Sequence, residues 1–311
     1  MFSNESRGGD RGSPLLIAVA AAAALLTGCS SDAGARGMDA AAGGAPGTPA
    51  AAAPTSSATT RTSSSPTPSS EPTPSGSAGE TLPLAGKVIV LDPGHNPTNY
   101  QHTAEINRKV DIGTNAKECD TTGTETDAGY PEAQYTLDVS RRARTLLVAL
   151  GAKVTLTQNG ELPYGPCVDE RARIGNQAHA DAAVSVHADG APAADYGFHV
   201  IAPKSLHEGA ADTRAIAGPS YRLATDLRTH FAATTKEPFA DYLGGGTGLM
   251  VRDDLGGLNL STVPKVFIEC GNMRNAHDAK ALTNPAWRQE AAQGIVDGLT
   301  AFLTDSSAGT R

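Results

Sequence analysis

Two histidines and two glutamates stand where the sequence predicts that a strand ends or a helix begins. His95 and His187 each follow or end a short β-branched, apolar segment. Glu269 ends a third such segment, and Glu132 begins a long segment whose apolar residues have helical spacing. Imidazole nitrogen and carboxylate oxygen are ligands that Zn²⁺ prefers, and three protein ligands leave a position for water. A further carboxylate that does not touch the metal can serve as general base and then as general acid.

Each of these residues also has an ordinary explanation. A single histidine after a strand is more often a structural residue than a ligand. Glu132 follows Pro131 at a predicted helix start, where the helix dipole favours an acidic side chain in any case. Glu269 is more unusual, because a carboxylate on so apolar a segment must be paired, bound to a metal or raised in pKa.

The elements that must position these residues alternate between strand and helix patterns. This alternation predicts an α/β fold: a single domain with a mixed, mostly parallel twisted sheet of about six strands and helices on both faces. Ligands of such sheets bind beyond the carboxyl ends of the strands. Strands are predicted at 87–92, 152–158, 182–187, 197–202, 248–251 and 263–269, and helices at 131–150, 168–179, 214–235 (with Gly218-Pro219 interrupting its start) and 285–303.

Four segments in order along the chain resemble one protein family. They are DPGH (92–95), the helix led by Glu132, ERARIGNQAHADAAVSVHADG (170–190) and VPKVFIECGNMRNAHDAKAL (263–282). Together they resemble the catalytic domain of zinc-dependent N-acetylmuramoyl-L-alanine amidases, the type-3 class of bacterial cell-wall hydrolases. The resemblance covers essentially all of residues 85–304.

The resemblance implies a role for each of the four residues. His95, Glu132 and His187 match the ligands of one zinc ion per chain, and Glu269 matches the catalytic glutamate. The implied reaction is hydrolysis of the amide bond between N-acetylmuramic acid and L-alanine in peptidoglycan or its fragments. The implied mechanism uses zinc-activated water, with Glu269 as general base and acid.

Further residues of the matching segments have open roles. Arg171 could hold Glu269 or a substrate carboxylate, although a structural ion pair explains it equally well. Asn176 is a further candidate for contact with the substrate or with the residues around the metal ligands. Asn272 and Asn275 are expected to order the loop after Glu269. The other histidines have no matching ligand role and are expected at the surface or in structural positions: His102, His179, His199, His207, His230 and His277.

The sequence departs from the family in the 36 residues between His95 and Glu132. We expect residues 98–128 to form a loop or hairpin beside the metal, either as a lid or as a decoration without a regulatory role. Two other functions are alternatives. A zinc peptidase that cuts within the stem peptide stays open on the ligand set alone. A non-catalytic lipoprotein that binds the cell wall would require loss of a ligand or of the base, and all four residues are present.

The first 84 residues resemble an export and tethering segment. A polar start with Arg7 and Arg11 leads into an apolar run at 15–26, which is too short to span a bilayer. The run ends in Leu26-Thr27-Gly28-Cys29, which resembles the lipobox of bacterial lipoproteins, with Cys29 as the lipidated residue. We therefore expect a signal peptide at 1–28, a linker at 29–84 that is rich in Ala, Gly, Ser, Thr and Pro, the catalytic domain at 85–304 and a flexible tail at 305–311. The expected location is the outer face of the bacterial cytoplasmic membrane, in the cell envelope.

Composition and cysteine positions bear on the partners of the protein and on its disulfide bonding. The chain has 311 residues and a net charge of −8, and such an acidic surface argues against a nucleic-acid partner. In the oxidising environment outside the cell, Cys119 and Cys167 are expected to form a disulfide, the alternative being two separate thiols. Cys270 is expected to be a packed free thiol that points away from the Glu269 side chain. A monomer is the default expectation.

Overall fold

The computed structural model of the chain describes residues 81–305. The predicted signal peptide, Cys29, most of the predicted linker and the last six residues lie outside this range. Ten strands lie within it: β1 Val88–Pro93, β2 Lys109–Asp111, β3 Ala116–Glu118, β4 Lys153–Leu156, β5 Ala182–Asp189, β6 His199–Pro203, β7 His207–Glu208, β8 Ala211–Asp212, β9 Leu249–Arg252 and β10 Lys265–Asn272. Seven α-helices accompany them: α1 Thr103–Ile106, α2 Glu132–Ala149, α3 Val168–Gln177, α4 Ala217–Thr235, α5 Gly256–Asn259, α6 Ala276–Thr283 and α7 Pro285–Thr304.

Six strands form the main sheet in the order β4-β1-β5-β10-β6-β9. All neighbouring pairs are parallel except β10 and β6. The predicted mixed, mostly parallel sheet is therefore confirmed. Because β1, β5 and β10 are parallel and adjacent, their carboxyl ends lie at the same edge of the sheet.

One face of this sheet carries the main hydrophobic core. Helices α2, α4 and α7 cover it, as expected from strands whose alternate residues are apolar on one side. Along β10, for example, Val266, Ile268 and Cys270 face this core, whereas Phe267 and Glu269 face the opposite side. Cys270 is buried and unpaired, as predicted. The buried members of this core include Ile89, Leu91, Val184, Val186, Val200, Leu147, Leu223, Leu227, Phe231, Ile295 and Leu299.

The other face is covered by α3, α5 and the segment between His95 and Glu132. That segment contains α1 and an antiparallel hairpin of β2 and β3, so the predicted hairpin is present. Two of its apolar side chains, Val110 and Ile112, are buried with Cys119 and Cys167 in a small separate cluster. Cys119 and Cys167 form the predicted disulfide, which joins the hairpin to the residue before α3.

Two boundaries differ from the sequence prediction. Helix α4 runs unbroken from Ala217 through Pro219, because a proline in the first turn lacks only an N–H that has no partner inside the helix. Leu84, assigned to the linker by composition, is fully buried and its N–H donates to the carbonyl of Leu150. Among residues 81–305, no helix is long and apolar enough to cross a membrane.

Candidate active site

The sheet topology brings the four predicted residues to one edge. His95 follows β1 by two residues, and His187 on β5 lies directly opposite Glu269 on β10 in the parallel ladder. Glu132 is the first residue of α2, whose start lies at the same edge. His95 and Glu269, which are 174 positions apart along the chain, thus converge because three parallel strands end together.

Three of these side chains form a compact cluster. Nε2 of His95 lies 3.1 Å from Oε2 of Glu132, and Nδ1 of His187 lies 3.0 Å from Oε1 of the same carboxylate. One ligand atom from each residue lies within 4.8 Å of the other two. Two imidazoles and one carboxylate, converging from three elements, form a donor set that suits Zn²⁺ and leaves room for a further ligand.

The ring of His95 is oriented by the segment before α2. Its Nδ1 lies 3.1 Å from the carbonyl oxygen of Thr121 and 3.5 Å from Oδ1 of Asp120. Such contacts on the nitrogen that faces away from a metal fix the tautomer and direct the other nitrogen toward the ion. The backbone of His95 has φ = 62°, a left-handed conformation that is uncommon outside glycine and recurs at functional sites.

The ring of His187 is held on three sides. Its Nε2 lies 3.2 Å from Oγ of Ser185, and its plane stacks on Phe267 with ring centroids 4.9 Å apart. Gly94 lies against the third side, where a Cβ atom would overlap the imidazole ring. A glycine at this position is therefore required for the ring to occupy its place.

Glu132 is buried, and backbone groups hold both of its oxygens. Oε2 accepts a hydrogen bond of 3.0 Å from the Thr124 N–H, and Oε1 accepts one of 3.2 Å from the Ala188 N–H. Burial raises the pKa of Glu132, but the neighbouring His95 and His187 outweigh it and hold the pKa well below the usual range. The site thus presents an ionised carboxylate between two imidazoles.

Glu269 occupies an acidic and partly buried position beside the cluster. Its Oε2 is buried and has no hydrogen-bond partner within residues 81–305. Burial raises the pKa of Glu269 well above its ordinary value, and the carboxylates of Glu132 and Asp189 raise it further. A carboxyl group with an unpartnered oxygen and a raised pKa is suited to accept and return a proton.

A pocket of about 200 Å³ opens beside the two histidines. The β2–β3 hairpin forms one wall, and residues 254–257 before and within α5 form another. Nζ of Lys117 on the hairpin lies 3.4 Å from Oδ2 of Asp254 on the opposite wall. The predicted position of the hairpin beside the cluster is therefore confirmed.

Comparison with known proteins identifies the family. The family model described as N-acetylmuramoyl-L-alanine amidase matches residues 89–301. The chain is 40% identical over 235 residues to the N-acetylmuramoyl-L-alanine amidase Rv3717 of Mycobacterium tuberculosis, covering 74% of this chain and 93% of that protein. The chain belongs to the N-acetylmuramoyl-L-alanine amidase family.

Solved structures of similar amidases agree with the fold. The crystal structure of the amidase Ami1 from Mycobacterium smegmatis has a TM-score of 0.65 and 42% identity, over 71% of this chain and 98% of that chain. The apo form of Ami1 from Mycobacterium abscessus has a TM-score of 0.64 and 41% identity, over 71% of this chain and 100% of that chain.

Arg171 of this amidase lies beneath the cluster in a network of buried ions. Its guanidinium pairs with Asp92 at 2.8 Å and with Asp120 at 2.9 Å, and it also donates to the carbonyl oxygens of Pro166, Pro93 and His95. These contacts use all five N–H donors of the side chain. Arg171 therefore has no donor left for Glu269 or for a substrate carboxylate. Its role is the structural ion pair, which was one of the two alternatives for this residue.

The asparagines predicted near the site have structural roles. The Asn176 side chain donates to the Leu260 carbonyl and accepts from the Thr262 N–H, so it holds the segment before β10 rather than the cluster. Asn272 donates to the carbonyls of Pro192 and Asp195. Asn275 caps α6, so both residues order the loop after Glu269 as expected.

Sequence reasoning missed several residues around the cluster. Lys265, the first residue of β10, is fully buried and pairs with Asp92 at 2.9 Å. His199, expected at the surface or in a structural position, is buried opposite Glu269 in the antiparallel ladder, and burial lowers its pKa to about 4. One signal in the sequence could have revealed this ion pair. Lys265 lies within a predicted apolar strand, and a lysine is almost never fully buried unless an acidic side chain pairs with it.

Proposed function

We propose that the amidase hydrolyses the amide bond between N-acetylmuramic acid and L-alanine in peptidoglycan, with a zinc ion held by His95, Glu132 and His187. The observation that carries this proposal is the convergence of the three donor atoms within 4.8 Å at the carboxyl edge of the sheet. The donor chemistry fits zinc, since both imidazoles have a nitrogen beside the Glu132 carboxylate. When bound, the ion would supply Lewis-acid polarisation of the scissile carbonyl and lower the pKa of a water molecule.

The side chains around the ligands keep them in place. Asp120 and Thr121 orient the His95 ring, and Ser185 orients the His187 ring. Backbone N–H groups fix the Glu132 carboxylate, which leaves it no freedom to rotate out of the site. A ligand set that is already ordered loses little entropy on binding an ion or substrate.

Glu269 is assigned the proton transfers. Its carboxylate accepts a proton from the attacking water molecule and donates it to the alanine nitrogen as the amide bond breaks. The raised pKa of Glu269 supports this role, because a carboxylate with a higher pKa is a stronger base toward water and keeps the proton until the alanine nitrogen receives it.

Two substitutions test the ligand assignment. Glu132→Gln and His187→Ala should each abolish release of stem peptides from peptidoglycan and reduce bound zinc by one ion per chain. The matched control is His207→Ala, because His207 is an exposed histidine that also lies beside a carboxylate, Asp212, at 3.3 Å. Wild-type peptide release by His187→Ala would contradict the assignment.

We also propose that lipid on Cys29 anchors the enzyme to the outer face of the cytoplasmic membrane. The linker at 29–84 would then let the catalytic domain reach the cell wall. A flexible segment of that length has a root-mean-square span of about 40 Å. Cells grown with radiolabelled palmitate should label the wild-type chain, whereas Cys29→Ser should lose both the label and the membrane fraction. A Cys29→Ser chain that stays in the membrane fraction would overturn the anchor.

A further inference from the structure

A second group of ligand-type side chains lies apart from the active-site cluster. One ligand atom each from Glu237, His277 and Asp278 lies within 4.8 Å of the other two. Glu237 follows the end of α4, and the other two residues lie at the start of α6. No step of the proposed reaction uses these three residues.

Both carboxylates of this group are buried without a neighbouring cation. Glu237 is 5% exposed and Asp278 is 1% exposed. Within residues 81–305, no lysine or arginine forms an ion pair with either of them, and the only basic side chain in contact with the Asp278 carboxylate is the imidazole of His277, at 3.2 Å. The contrast is Asp92, an equally buried carboxylate that is paired with both Arg171 and Lys265. Two buried carboxylates side by side are unfavourable unless a proton or a cation lies between them.

One oxygen of the group is without a partner. Oε1 of Glu237 is buried and makes no hydrogen bond within the described part of the chain. Buried polar atoms are nearly always satisfied, so an exception points to a missing ion or water molecule. Burial and the Asp278 carboxylate raise the pKa of Glu237 to about 8, which reflects the same lack of compensating positive charge.

The Asp278 carboxylate is already fixed in place. Its Oδ2 accepts hydrogen bonds from the N–H groups of Gly197 at 2.8 Å and Asn272 at 2.9 Å. Its Oδ1 faces the Nδ1 of His277. The imidazole of His277 is 74% exposed, so the group has an open side through which an ion can enter.

We propose that Glu237, His277 and Asp278 form a second zinc site with a structural role. Two carboxylates and an imidazole are within the ligand repertoire of Zn²⁺, and water on the exposed side can complete four-fold coordination. The ion would connect the end of α4 to the start of α6. Through Asp278 it would also brace the end of β10, three residues beyond Glu269, and the residues that lead into β6.

Counting bound zinc in single and double variants tests this site separately from the active site. The full chain is stripped with a chelator, equilibrated with buffered Zn²⁺, desalted and analysed by inductively coupled plasma mass spectrometry. We expect two zinc ions in the wild type, one in His277→Ala, one in His187→Ala and none in the double variant. The matched control His207→Ala should keep both ions. Because His277 is exposed, its replacement by alanine does not disturb the core.

Affinity and thermal stability supply a readout that does not depend on activity. In the His187→Ala background, added Zn²⁺ should raise the melting temperature, and Glu237→Gln or His277→Ala should remove that increase. Removing a residue that only hydrogen-bonds to a metal ligand typically weakens metal binding about 10–100-fold. Removing a ligand itself should therefore weaken zinc affinity at the second site by about 100-fold or more.

One result would overturn the proposed second site. In that result the wild-type chain binds one zinc ion, His187→Ala loses it and His277→Ala keeps it. Such a result would mean that a shared proton, not a cation, neutralises Glu237 and Asp278, and it would leave the active-site proposal intact. The reverse loss, zinc kept in His187→Ala and lost in His277→Ala, would support the second site and contradict the active-site proposal.

Discussion

The hydroxyl of Ser185 lies 2.9 Å from Oδ2 of Asp92, and the same hydroxyl lies 3.2 Å from Nε2 of His187. Asp92 therefore reaches one predicted zinc ligand through Ser185. It reaches the other histidine through Arg171, which pairs with Asp92 and with Asp120, the neighbour of His95. A single buried carboxylate thus supports the orientation of both imidazole rings.

Replacing Asp92 by asparagine should strongly destabilise the domain. The substitution leaves Lys265 and Arg171 buried with less negative charge around them, and breaking a buried ion pair typically costs about 3–5 kcal/mol. Urea denaturation of the wild type and Asp92→Asn measures the difference. The control Asp212→Asn removes an exposed carboxylate from its pair with Arg214 and should change the free energy of unfolding far less, because solvent screens exposed ion pairs. Equal effects of the two substitutions would contradict this description of Asp92.

The same carboxylate should make stability depend on acidity. Burial raises the pKa of Asp92, but Lys265, Arg171 and Thr157 outweigh it and hold the folded-state pKa far below the usual range. The unfolded value is about 3.9, so the stabilisation is complete above that pH and declines as the pH falls below it. Between pH 6 and pH 3 the wild type should lose about 1 kcal/mol more free energy of unfolding than Asp92→Asn. Identical losses in the two proteins would mean that the pKa of Asp92 is not lowered by folding.

Removing the Ser185 hydroxyl should weaken zinc binding at the active site. Ser185→Ala leaves Nε2 of His187 without its partner, and loss of such an outer contact typically reduces metal affinity about 10–100-fold. A competition titration against a zinc chelator measures the affinity. The matched control is Ser140→Ala in α2, because the buried Ser140 hydroxyl has no hydrogen-bond partner within residues 81–305. An unchanged zinc affinity in Ser185→Ala would mean that the Ser185 hydroxyl does not support metal binding by His187.

The disulfide should stabilise the whole domain and hold the hairpin wall of the pocket. Cys119 and Cys167 are 48 positions apart, and closing a loop of that length is worth about 4 kcal/mol in the chain-entropy model. Replacing both cysteines by alanine should lower the free energy of unfolding by about that amount. It should also expose the β2–β3 hairpin to limited proteolysis. Reductant should reproduce both effects in the wild type and have no effect on the double variant, and a double variant as stable as the wild type would contradict the prediction.

The main sheet could be predicted because its signals are local. The apolar runs that became β1, β5 and β10 are β-branched and bounded by turn residues, and parallel strands require helices between them. The same topology explains why the sequence alone predicts that His95, Glu132, His187 and Glu269 lie together. The resemblance to a known family gave their roles.

The surroundings of the site could not be predicted because they depend on contacts between distant segments. Nothing near Lys265 in the sequence indicates that Asp92, 173 positions away, is its partner. Nothing in the sequence distinguishes His199 and His277 from the other histidines. The position of His199 depends on the antiparallel β6–β10 pair, and that of His277 depends on the buried Asp278 beside it. Arg171 could be placed on α3, but its five partners come from segments whose relative positions only the tertiary fold determines.

The most direct test of the central claim is mass spectrometry of peptidoglycan digested by the full chain. We predict stem peptides with a free N-terminal L-alanine. Their release should stop with a zinc chelator and resume when zinc is restored. Glu269→Gln should bind as much zinc as the wild type while its rate falls by about 10²–10⁴, the usual contribution of a general base, and the exposed Glu290→Gln should keep the wild-type rate. Chelator-resistant release, cleavage inside the stem peptide, or a wild-type rate for Glu269→Gln would contradict the account.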